Sequence, residues 1–243
     1  AHAATVFAKT TPWLDRWASA WQTARTTACV HHRVDDGDDE LHARASDCLD
    51  EQRGRFTSLL HELAVADAHT LNRATTAAAG LAPVADCTDP AALRARPLRS
   101  PEQQAAAREL DAALARAVAL KAMGDFKGGL VVAREVVAAA QAAGALATVA
   151  EGEQLVGVLQ SDLGEHAAAE QSLLRAVATA REARSQRPAL LSVLQLIWVV
   201  GDRLTRFAEG KVWGEAARLE IGHLAGDTRP ALASLHNNLG QLA

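Results

Sequence analysis

The chain of 243 residues has no tyrosine and one methionine, and aromatic side chains make up only 4% of it. Strands draw on aromatic and β-branched residues, so this scarcity argues against a sheet-based fold. Long apolar runs are also missing. Stretches such as Leu194 to Val200 are interrupted by polar residues within a turn or two, well short of the roughly 18 residues of a spanning helix. Charge of one sign is not in surplus either: 25 Lys and Arg stand against 29 Asp and Glu, a net charge of −4 that gives nucleic acid no electrostatic purchase. No GxGxxG opens a helix, no GxxxxGK[ST] loop occurs and there is no GxSxG elbow. The sequence therefore points to no cofactor and no catalytic residues. What is abundant is alanine, the best helix former, and the expected fold class is all-α. The chain opens at Ala1 without a basic-then-apolar leader and reads as part of something longer.

The three cysteines, Cys29, Cys48 and Cys87, form no CxxC pair, and the nine histidines form no HExxH with them, so structural zinc is not expected. Two readings stay open. Either all three are small buried thiols in a reduced protein, or the compartment is oxidising and one disulfide joins Cys29 to Cys48 across a helical hairpin. The latter leaves Cys87 to a cysteine upstream. The densest group of potential ligands is His31-His32, followed by Asp35, Asp36, Asp38, Asp39, Glu40 and His42. It lacks the register of a calcium loop, so a solvated acidic turn is preferred to a metal-dependent site.

The texture changes near residue 100, which divides the chain into a helical N-terminal region, 1–99, and a repetitive region, 100–243. In the first, a helix from about Pro12 to Val30 carries Trp13, Trp17 and Trp21 on one face, expected in the core. After a turn at Val34 to Asp39, a second helix from about Glu40 to Ala66 has Leu49, Phe56, Leu59, Leu60 and Leu63 as its apolar stripe. A third starts from Asp67 as N-cap and stops at Gly80. A connector, Pro83 to Pro97, follows, with a helical turn after Asp89-Pro90. The second region opens on a capping box, Ser100 with Gln103, around Pro101 at the first helical position.

From there helical patterns recur. Aligning Gly124-Asp125-Phe126, Gly164-Glu165-His166 and Thr205-Arg206-Phe207 gives a period of about 40 residues, the second interval being longer than the first by one. Each corner precedes a helix with small or aliphatic residues at matching places: Gly129, Ala133 and Val136, then Ala169, Leu173 and Ala176, then Gly210, Gly214 and Ala217. These units resemble tetratricopeptide repeats, in which small residues sit where antiparallel helices touch, and Leu235-His236-Asn237-Asn238-Leu239-Gly240 resembles the start of a fourth. The resemblance implies an α-solenoid whose concave face is lined by first helices. It places Leu114, Gln154, Gln195 and Asn237 at equivalent groove positions, with Lys121, Ser161, Asp162, Asp202 and Arg203 beside them. A ladder of carboxamides there would hold an extended peptide by its backbone. The alternative is that these are ordinary solvated polar residues.

Together with Trp17-Ala18-Ser19-Ala20-Trp21, Thr27-Ala28-Cys29, Arg33-Val34, Cys48-Leu49-Asp50, Arg53, Ala66-Asp67-Ala68 and Ala78 to Cys87, the repeats resemble the tetratricopeptide-containing region that follows the catalytic domain of myxobacterial serine/threonine protein kinases. That resemblance implies a non-catalytic sensor or scaffold region. The implied setting is the exported, periplasmic side of a single-span membrane protein, with a peptide or protein as partner. It also implies the Cys29–Cys48 pairing, with Cys87 bonded upstream. The acidic turn Asp35 to Glu40 departs from the family pattern. A homo-oligomer, built by stacking of the unfinished fourth unit, is the other expected association.

Overall fold

Every regular element among the described residues is a helix, as an alanine-rich chain poor in strand formers should give. The computed structural model describes residues 2–34, 38–68, 70–96 and 100–242. Packing divides the chain into two units, Ala1–Gly129 and Leu130–Ala243.

The first unit begins with α1 (His2–Val34) and α2 (Asp39–Ala64). α1 runs straight through Pro12, where the sequence suggested a start. Side chains of its early turns are held from outside: Thr10 is buried and its hydroxyl lies 2.9 Å from that of Thr75, and His2 bonds Asn72 at 2.9 Å. Asp38 caps α2, accepting from the amides of Glu40 and Leu41. Asp67 accepts from the Thr70 amide at 2.8 Å and opens a 3₁₀ turn, Thr70–Arg73, that leads into the short α3 (Ala74–Ala79), which stops at Gly80. A second 3₁₀ turn, Val84–Cys87, precedes α4 (Pro90–Ala95), capped by Asp89. The capping box of Ser100 and Gln103 is formed and starts α5 (Pro101–Met123). Although α5 opens the repetitive texture, it packs on α2 and α3 within this unit.

The core of the first unit gathers Trp17, Cys48, Leu49, Val84, Cys87 and Leu93. Trp17 stacks on Phe56, centroids 4.5 Å apart, and its indole N–H donates to the Ala82 carbonyl at 2.9 Å. Trp21 donates to the Leu49 carbonyl at 2.7 Å, whereas Trp13 is exposed with Arg16 over its ring. Two tryptophans of the stripe are therefore core anchors and the third is not. Leu60, expected on the apolar stripe of α2, is also exposed.

The cysteine pairing expected from the sequence is corrected here. Cys48 is bonded to Cys87, with a Cα–Cα distance of 5.5 Å, and Cys29 is an exposed free thiol. The reason is topological. The 3₁₀ turn Val84–Cys87 folds back onto α2 and brings Cys87 to the buried face that carries Cys48, so no upstream cysteine is needed. Cys29 lies on the solvent side of α1.

The second unit is built by repetition. α6 (Phe126–Ala142) leads into it, followed by α7 (Leu146–Asp162), α8 (His166–Glu182) and α9 (Gln186–Leu196). A π-helical segment, Ile197–Arg203, extends α9, and α10 (Phe207–Gly222) and α11 (Arg229–Gly240) complete the unit. From the end of α5 to the start of α11, a residue with left-handed backbone ends each helix or its following turn: Gly124 (φ 88°), Gly144 (67°), Gly164 (82°), Arg184 (53°), Thr205 (55°) and Gly226 (86°). These corners recur about every 20 residues, with one residue more in each of the last two intervals. At the first four corners an amide reaches back five residues to close the helix: Asp125 to Leu120, Ala145 to Ala140, Glu165 to Gln160 and Ser185 to Ala180, all at 2.8–2.9 Å. At the fifth, Arg206 reaches back six residues, to Val200, at 3.0 Å. The wider π turn absorbs one extra residue, and this is why the second repeat is longer than the first by one.

Small residues fall where helices meet. Ala133, Ala169, Leu173, Ala176 and Ala217 are completely buried. A Cβ on Gly210 would stand 2.5 Å from the Cα of Gly201, so the π segment and α10 touch backbone to backbone. Leu173, Val193, Leu196, Ile197, Val199 and Val200 fill the core around that contact.

Two outcomes are expected. Folded protein should titrate one thiol, Cys29, and denatured, reduced protein three; the Cys48–Cys87 bond, with 39 residues of separation, should contribute about 3–4 kcal/mol to urea stability. Arg184→Gly and Thr205→Gly should each stabilise the fold by about 0.5–1 kcal/mol, read as a higher urea midpoint, because relief of left-handed strain exceeds the entropy that glycine adds to the unfolded chain.

Candidate functional site

From α7 onward, consecutive helices of the second unit pack on one another, and α9 also touches both α7 and α11. α7, and α9 with its π extension, each carry a less buried stripe. On α7 the stripe is Ala147, Glu151, Gln154, Val158 and Asp162, and on α9 and its π extension it is Leu191, Gln195, Trp198 and Asp202. Gln154 and Gln195 are half-buried, and their carboxamides make no hydrogen bond to any described residue. Asn237 is exposed on α11. Its neighbour Asn238 donates to the Leu194 carbonyl at 2.8 Å and ties α11 to α9.

The other sequence-predicted groove residues divide. Asp202 is half-buried and Arg203 exposed; they lie 3.5 Å apart, and the Arg203 guanidinium sits 4.2 Å from the Trp198 ring centroid. Asp162 is exposed at the end of α7, and Ser161 is buried, which takes Ser161 off the accessible stripe. Leu114 and Lys121 belong to the first unit; Leu114 is buried there and Lys121 half-buried.

Of the acidic turn, Asp35, Asp36 and Gly37 lie outside the described residues. His32 and His42 stack with ring centroids 4.1 Å apart, His32 Nδ1 stands 3.5 Å from Asp39, and His42 Nδ1 stands 3.2 Å from the Ala28 carbonyl oxygen. Among the described residues no three His, Cys, Asp or Glu come together as a metal cluster.

Sequence reasoning missed a polar network on the adjacent face of α7. Glu153 is 5% exposed. Its carboxylate accepts from the Thr179 hydroxyl at 2.9 Å and stands 3.6 Å from Arg175. Ser172 donates to Gln160 at 2.7 Å and accepts from Arg175 at 3.0 Å. The signal was available. Val149, Glu153, Val156 and Gln160 recur at helical spacing, so a charge and an amide occupy positions where the period asks for apolar residues. A second network joins α10 to α8: Arg206 takes both oxygens of Glu170 at 2.9 and 2.8 Å and also bonds Glu209. The bonds from Arg206 hold the Glu209 carboxyl below the usual carboxylate range, and those to Glu209 and Glu170 raise the guanidinium.

No family model, no curated protein and no solved structure matches this chain. The arrangement offers hydrogen-bonding amides on an open face and fixed charges beside it.

Removing the buried carboxylate with Glu153→Ala strands the Thr179 hydroxyl and frees Arg175. It should lower stability by about 1.5–3 kcal/mol in urea unfolding, and Thr179→Val by about 1 kcal/mol.

Proposed function

We propose that this chain is a non-catalytic binding region that holds an extended peptide, or an extended segment of a protein, across α7, α9 and α11. The observation that carries the reading is the pair of half-buried carboxamides, Gln154 and Gln195, that no described residue satisfies. Those amides are open to solvent, and a carboxamide suits a peptide backbone because it both donates and accepts. The helix pairs, repeating about every 40 residues, support a tetratricopeptide-like stack in which alternate helices line one face. In the setting implied by the resemblance, the region serves as sensor or scaffold for an attached serine/threonine kinase domain, on the exported side of a single membrane span. The buried Cys48–Cys87 bond supports an oxidising setting, where such bridges persist.

The test is an array of unstructured peptides about ten residues long, read by fluorescence polarisation, with hydrogen exchange to map the footprint. Binders should protect α7 and α9, and Gln154→Ala with Gln195→Ala should weaken them by about tenfold without changing the urea midpoint. Protection of other helices, or unchanged binding by the double variant, would overturn the reading. Protection that depends on protein concentration alone would make this face a contact between copies of the chain.

A further inference from the structure

The polar network on α7 opens into a cleft of about 310 Å³ between α6, α7 and α8. This volume is at the small end of ligand sites. It is lined by Val137 and Val156 together with Arg134, Glu153, Gln160 and Arg175. The cleft lies wholly within the second unit. Adjacent residues on a helix point roughly 100° apart, so Glu153 and Gln154 serve different faces of α7.

The charges do not cancel. Glu153 and Arg175 face each other at 3.6 Å, and the Arg175 guanidinium is steadied further by Ser172, itself bonded to the buried Gln160. Arg134, exposed on α6, lines the same cleft and makes no ion pair or hydrogen bond with any described residue. One guanidinium is thus paired and a second is uncommitted, for a surplus of one positive charge beside two valine side chains. Guanidinium forks match planar oxyanions, and the two valines suit a short aliphatic stem.

We infer that the cleft is a binding site for a single carboxylate on a short aliphatic chain, gripped by Arg134 and Arg175 with its methylenes on Val137 and Val156. The carboxylate is supplied either by an acidic side chain of a partner polypeptide or by a free small acid. Glu153 is a positioning residue: it aims Arg175 across the cleft and does not meet the ligand's charge.

The test is titration of the whole chain, followed by NMR and calorimetry, with two probes: free butyrate and the blocked peptide acetyl-Ala-Glu-Ala-amide. Butyramide and inorganic phosphate serve as controls. Saturable binding of either carboxylate probe, with shifts confined to α6, α7 and α8, is the expected result, and the tighter probe identifies the source. Arg134→Gln, at an exposed position without partners, should weaken that binding by about tenfold or more and leave thermal unfolding unchanged. Three results would overturn the inference: no saturable binding of either carboxylate, butyramide or phosphate binding equally well, or Arg134→Gln binding as wild type does.

Discussion

The left-handed corner that recurs about every 20 residues is the constraint on which the second unit rests. A helix of 17 residues, the length of α6, α7 and α8, is about 25 Å long. A short turn with one left-handed position then reverses the chain within the width of a single packing contact. Helices of equal length laid side by side bury their small residues along their whole length, which gives the completely buried Ala133, Ala169, Ala176 and Ala217. The reversal at each corner also returns every second helix to its neighbour but one, so that α9 packs against both α7 and α11.

The all-α class was legible because absences carried it: without tyrosine and with so much alanine, few alternatives remain. The caps were equally legible. Ser100 with Gln103, Asp67 and Asp89 all sit at helix or turn starts, since a side-chain oxygen placed to accept an orphan amide is a local matter. The period of the corners, with its extra residue in the second interval, was read correctly, but the cause of that residue was hidden. A π turn has no composition of its own, and at Ile197–Arg203 it shows only as one residue too many. The cysteine pairing was misread because the sequence offers distance along the chain, while a disulfide depends on which loop folds back. Nothing in the composition of Val84–Cys87 announces that it returns to α2.

The polar residues of α7 show where periodicity is a sharper guide than composition. Gln154 drew attention because an amide on an open stripe suggests recognition. Glu153, one residue earlier, looked unremarkable as a charge on a helix, yet it is the one that is buried. A buried carboxylate must be compensated, and Thr179 and Arg175 of α8 do so for Glu153 of α7, while Ser172, bonded to Gln160, braces the arginine. The compensation fixes the relative rotation of the two helices, since each partner must meet a directional acceptor. The face next to it inherits that rotation and needs no polar contacts of its own to stay in register.

The Cys48–Cys87 bond also changes how the first unit would respond to tension. A pull applied through the ends of the chain passes from Cys48 to Cys87 through the sulfur atoms, and the segment between them, which spans a sequence separation of 39, is shielded. That segment holds most of α2, all of α3 and the two 3₁₀ turns. Roughly 130 Å of contour length stays stored behind the covalent bond until a reductant opens it.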